Sequence, residues 1–135
     1  VDGVTARRRL NAARYEALLD RRFVTIPAAT TDSLHTYHLF VVQVDRRNEL
    51  RTFLAARGVS TKIHYPSPIH LQPAAAALGY PPGSLPVAER QAGRILSLPI
   101  HQFLTPEDVE YVAAAINEFY ASGAAPKFSA PMTDG

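Results

Sequence analysis

The chain has no cysteine, only two lysines, Lys62 and Lys127, and no long apolar run. Without cysteine there is no disulfide framework, no thiolate metal site and no cysteine nucleophile. A bilayer-spanning helix needs about 20 consecutive apolar residues, so no membrane partner is expected. No glycine-rich turn follows a strand-like segment, which leaves a dinucleotide or P-loop phosphate cradle without support. No signal-like segment opens the sequence, and a cytoplasmic protein is expected. The first residue is Val rather than Met, and the expectation is a processed chain or a piece of a longer one.

What is present suits one small globular domain: 135 residues, 47% hydrophobic and 19% charged. The formal net charge is +2, unevenly spread. Residues 1–22 hold six arginines against Asp2, Glu16 and Asp20. Beyond residue 104, Glu107, Asp108, Glu110, Glu118 and Asp134 face Lys127 alone. Arg7, Arg14 and Arg21 recur every seven residues with no aromatic interleaving. This reads as a solvated helix face, and no nucleic-acid partner is expected.

Residues 4–22 read as an amphipathic helix with Leu10, Ala13, Ala17 and Leu18 inward. Phe23 to Pro27 is a short extended piece. His38 to Val44 is apolar on both faces and should be the central strand. Asp45 is placed to cap the next helix, whose stripe is Leu50, Phe53 and Leu54 and whose stop is Gly58. Val59 to His64 reads as a second strand. Six of the eleven prolines then fall in residues 65–86, which makes a stiff loop, broken by a short turn from Pro73 to Leu78. Pro86 opens a helix to about Ile95, and Leu96 to Pro99 is a short strand. Thr105-Pro106-Glu107-Asp108 is a strong helix start, and Ser122-Gly123 ends that helix. The order predicts an α+β domain with a small sheet of three or four strands and helices packed on one face. The expected core is Val41, Val44, Leu50, Phe53, Leu54, Ile63, Leu98, Val109, Val112, Ile116 and Phe119.

No metal site is expected. His35 and His38 are three apart at a strand entrance, where odd spacing sends side chains to opposite faces. His64 and His70 could meet across the proline loop, but no third ligand stands at a recognised spacing. Ser67 lacks a nucleophile-elbow context, and Lys62 sits among strand residues with nothing to desolvate its amine. The densest polar stretch is His64-Tyr65-Pro66-Ser67-Pro68-Ile69-His70-Leu71-Gln72, leaving a strand into a rigid loop. Ligand-contacting residues concentrate in such places. The same histidines could instead bond backbone carbonyls of a packed loop.

Several segments together resemble the DegT/DnrJ/StrS family of sugar aminotransferases that depend on pyridoxal 5'-phosphate. They are Arg9 to Tyr15, His35 to Phe40, Gly58 to Gln72, Leu85 to Glu89, Leu96 to His101, and the helix from Leu104-Thr105 through Phe119. The resemblance covers residues 7 to about 121 and only the C-terminal small domain of that fold-type-I family. It implies a domain plan of a linking helix over 1–22, the small domain over 23–121 and a flexible tail over 122–135.

It further implies a parent enzyme that moves an amino group from an amino acid, commonly glutamate, to a nucleotide-linked keto-sugar, acting as a homodimer. The imine-forming lysine and most cofactor-binding groups would lie outside this chain, which would hold no catalytic residue and be inactive alone. Carried over from the signature loop, His64, Tyr65 and His70 would line the substrate side. A non-catalytic binding module, a sugar dehydratase and a cyclitol aminotransferase remain as alternatives. The resemblance also implies that the first helix is held largely by contacts outside the chain.

Overall fold

The computed structural model describes residues 2–28 and 33–123. Helix α1 (Asp2–Leu18) leads through strand β1 (Val24–Thr25) to strand β2 (Phe40–Val44) and helix α2 (Arg47–Ala56). Two 3-10 turns, Ile69–Leu71 and Pro73–Leu78, precede helix α3 (Pro86–Arg94), strand β3 (Ile95–Leu98) and helix α4 (Pro106–Ser122). The sheet is antiparallel with β2 in the middle, as its two-sided apolar sequence requires. Val24 pairs with Val44 on one side, and Phe40, Val41 and Val42 pair with Leu98, Ser97 and Leu96 on the other. The expected tail lies, from residue 124 on, outside the described residues.

The strand expected over Val59 to His64 is reduced to one bridge, in which Lys62 and Ser97 exchange backbone hydrogen bonds. The next bonded pair in one direction would set Ser60 against Pro99, which has no N–H to give. In the other direction the chain bends at His64 and leaves the sheet.

Phe40, Val42 and Val44 face a core built with Val24, Leu96 and Leu98 and with helices α1, α2 and α4. Val41 was expected in this core and is only half-buried. It is an odd number of residues from Val44, so the pleat turns it to the other face, beside α3. Phe53 and Ile63 are packed against the core but not enclosed by it. The Phe53 ring is partly covered by the Arg57 guanidinium, 3.7 Å from its centroid. Leu50, Leu54, Leu98, Val109, Val112, Ile116 and Phe119 are buried as expected.

The inward face of α1 is Asn11, Ala12 and Tyr15, continued by Leu19, not Leu10, Ala13, Ala17 and Leu18, all of which are exposed. An Ala- and Arg-rich helix has no strong stripe, and one large ring decides its rotation. Tyr15 is fully buried, stacks on Phe40 at 5.0 Å and donates its hydroxyl to the Pro99 carbonyl at 3.0 Å. Burial pushes its pKa upward, so the hydroxyl stays a donor. Asn117 on α4 secures the end of α1, donating to the Leu18 carbonyl at 2.8 Å and accepting from the Asp20 N–H at 3.0 Å. The second half of α1 is therefore anchored within the chain.

Asp45 does not cap α2. Arg46 occupies that position with φ of 54° and no side-chain cap. The Asp45 carboxylate instead lies 3.2 Å from Arg94 Nε, and its carbonyl accepts from the Tyr120 hydroxyl. Helix α2 stops at Gly58, whose φ of 75° suits the residue without a Cβ, and Val59 N–H returns to the Leu54 carbonyl. The helix start expected at Thr105 forms, and Thr105 and Asp108 close it as a capping box on α4.

Leu54→Ala should cost about 2–5 kcal/mol, and half-covered Phe53→Ala less than about 3 kcal/mol. Urea denaturation measures both. Val41→Ala should be milder than Val42→Ala; the reverse order would refute the assigned sheet face.

Candidate functional site

β3 carries the site's first fixed point. Leu96 and Leu98 enter the core, which turns buried Ser97 toward the opposite face. There its hydroxyl lies 2.8 Å from His64 Nδ1. His64 leaves the Lys62 bridge with one ring nitrogen already committed, and the Tyr65 ring stands edge-on to it at 5.7 Å. Tyr65 is 70% exposed. The prolines then carry the chain around to His70, which is buried and sets Nε2 3.0 Å from Glu89 Oε1 on α3.

The three side chains picked from the sequence therefore share one cavity in three different states. Tyr65 is open, His64 is half-buried against Ser97, and His70 is enclosed against Glu89. The cavity holds about 680 Å³ and its wall includes Ile69, Leu78, Tyr80 and Leu85. His64 is also part of the wall of a second cavity of about 600 Å³, with His38, Lys62, His101, Asp108 and Tyr111. Sequence spacing could not find Ser97, Glu89, Tyr80 or His101 as neighbours of the loop. Ser97, Glu89 and His101 stand well beyond it along the chain and come close through the β3 pairing and the return of α3, while Tyr80 comes back on the same proline-rich loop.

His35 Nδ1 accepts from the Tyr37 N–H, and His38 is part of the wall of the second cavity. Among the described residues no group of three or more histidines and carboxylates is placed to hold a metal. Ser67 Oγ reaches only the neighbouring Pro68 carbonyl, at 3.5 Å. Lys62 is exposed, its backbone fixed by the Ser97 bridge. No helix among the described residues is long and apolar enough to cross a membrane.

The helix starts near the site already hold carboxylates. The Asp108 pKa is lowered, first by the Thr105 N–H and then by its hydroxyl. Glu89 is lowered first by the Gly83 N–H and then by His70.

The sequence profile of the DegT/DnrJ/EryC1/StrS aminotransferase family matches residues 1–117. The chain belongs to this family. It is 44% identical over 117 residues to the erythromycin biosynthesis sensory transduction protein EryC1 of Saccharopolyspora erythraea, covering 86% of this chain and 32% of that one. It is 41% identical over 120 residues to the dTDP-3-amino-3,4,6-trideoxy-alpha-D-glucose transaminase of Streptomyces venezuelae, covering 88% and 32%. The crystal structure of S. venezuelae DesV with a ketimine intermediate superposes with a TM-score of 0.83 at 41% identity, over 87% of this chain and 32% of that chain. The chain thus spans about a third of the length of the curated relatives it matches, and its small α+β fold is the one found in sugar aminotransferases of the family.

The described residues do not by themselves fit a pyridoxal phosphate site. The cofactor needs an amine to form an imine and a seat for its phosphate, commonly free N–H groups at a helix N-terminus. Lys62 is an exposed amine at a sheet edge. The α3 and α4 starts are filled by Glu89 and Asp108, whose charge would oppose a phosphate.

The lowered Asp108 pKa sets the sign of an acid limb. Its contribution is complete above the ordinary carboxylate range and is lost as pH falls through the lowered value. Asp108→Asn should give a shallower loss of stability on acidification, read from melting temperatures across an acid titration.

Proposed function

We propose that this chain is the C-terminal small domain of a pyridoxal 5'-phosphate-dependent aminotransferase. The parent enzyme transfers an amino group from an amino acid, glutamate by the family resemblance, to the keto group of a nucleotide-linked sugar. It works as a cytoplasmic homodimer, with α1 linking this domain to the larger part. The observation that carries the reading is the signature loop itself. Within a chain matched over residues 1–117, it leaves the sheet at Lys62 and presents His64 and Tyr65 to an open cavity.

The domain's share of the work is binding and orientation. The Tyr65 hydroxyl stands in solvent and can donate to or accept from a sugar hydroxyl or phosphate oxygen. His64, steadied by Ser97, offers Nε2 on the ring's other side. His70 completes the wall from within. The pyridoxal group supplies the electron sink of transamination, and its lysine and phosphate seat belong to the larger part.

The test is to express the longer reading frame and assay transfer from glutamate to dTDP- and UDP-linked keto-sugars. Tyr65→Phe and His64→Ala should each raise KM for the sugar nucleotide roughly threefold to tenfold, the value of one hydrogen bond, while melting temperatures stay near wild type. Unchanged kinetics with lowered melting temperatures would return both residues to a structural role. The 135-residue chain alone should form no keto acid from glutamate and pyridoxal phosphate. A stoichiometric borohydride-trapped adduct at Lys62 would overturn that expectation.

A further inference from the structure

The loop from Tyr65 to Leu85 is long, proline-rich and poorly anchored by apolar contact. Of its residues only His70 and Ala75 are buried. Ile69, Leu78 and Tyr80 are 78%, 65% and 53% exposed. Its prolines have no N–H to give a backbone ladder. Its own side-chain bonds are local, such as Gln72 to the Ser67 carbonyl and Ser84 to the Pro81 carbonyl. A wall of this kind needs a tether that reaches across it.

Glu89 has the geometry of that tether. Its Oε1 accepts from the Gly83 N–H at 2.9 Å and the Leu85 N–H at 3.2 Å, and lies 3.0 Å from His70 Nε2. Its Oε2 also accepts from Gly83, at 2.9 Å. An ionised carboxylate only accepts, so His70 carries its proton on Nε2 and donates. One side chain thus joins the middle of the loop, its closing turn and the start of α3. The side chain is 22% exposed and that of His70 only 5%, so water competes poorly for the shared oxygen.

We propose that Glu89 is the positioning residue of the substrate-facing loop, holding the Tyr65–Leu85 wall at its bound geometry through His70, Gly83 and Leu85. His70 acts through Glu89. The identity of the ligand rests on the function proposed above; the tether does not. Without the tether the loop pays an ordering cost on binding, which appears in KM for the ligand that touches the wall.

The experiment compares Glu89→Ala, Glu89→Gln, His70→Ala and the Glu89→Ala/His70→Ala pair in the full-length protein. Glu89→Ala should speed amide exchange across residues 65–85 by roughly tenfold or more, since a charged hydrogen-bond acceptor is lost, with the sheet unchanged. It should raise KM for the sugar nucleotide by a similar factor, with kcat and KM for the amino donor within about twofold. Glu89→Gln should fall between, because its single amide oxygen can still accept from two of the three donors while its NH2 cannot accept at all, and it keeps the test open if the alanine variant misfolds. The double variant should be no worse than Glu89→Ala alone, as groups acting as one unit are not additive.

Unchanged exchange over 65–85 in both Glu89 variants would overturn the tether. Faster exchange with an unchanged sugar-nucleotide KM, or a loss confined to kcat, would overturn the positioning role. A wild-type enzyme that does not use a nucleotide-linked keto-sugar would overturn the proposed function, and the substrate half of this proposal with it; the exchange result would still decide the tether.

Discussion

Ser97 is the joint on which the site depends. Its backbone pairs with Val41 on one side and Lys62 on the other, and its hydroxyl holds His64. The flanking leucines are locked into the core, so β3 cannot slip without moving both into water. A slip by one residue would also carry Ser97 to the wrong face. The position of the His64–Tyr65 loop is therefore inherited from the packing of two leucines. The loop touches the sheet at one bridge, and everything after it is set by side-chain contacts and proline geometry.

The body of the domain compensates for a small core with side chains that bond distant backbone. Tyr15 reaches Pro99, Tyr120 reaches Asp45, and Asn11 reaches the His101 and Leu104 carbonyls at 3.3 Å. Arg47, buried at the start of α2, donates to the Ala92 and Ile95 carbonyls where α3 ends. Each bond satisfies a backbone group that a loop or helix end would otherwise leave without a partner. A three-stranded sheet with short strands has few ladder bonds to spare, and these links tie its loops to the helices.

The cavity beside Tyr65 has an open, largely apolar wall. Tyr65, Ile69, Leu78 and Tyr80 expose large apolar area on one side. An apolar wall with a few convergent polar groups is the usual composition of a ligand site. The α3 start beside it holds the domain's own Glu89, so this wall offers hydroxyl, imidazole and apolar surface rather than an anion seat.

Much was legible from residues alone where the signal is local. The helix start at Thr105, the glycine stop at 58, the turn at Pro73 and the start of α3 at Pro86 all depend on neighbours within a few residues, and all four formed as read. The resemblance of the signature loop likewise identified the family. What failed needed distance. The rotation of α1 was decided by Tyr15 against Phe40, the sheet face of Val41 by the pleat relative to β3, and the Val59 strand by a proline on its partner. Asp45 looked like a cap in sequence, but Arg94 and Tyr120 occupy its polar groups in the fold. The sequence by itself determined most of the elements, the stops at Gly58 and Gly123, and the family to which the loop belongs. Only the tertiary structure decided which faces are buried and which partners His64 and His70 find, because Ser97 and Glu89 lie beyond the reach of any local periodicity.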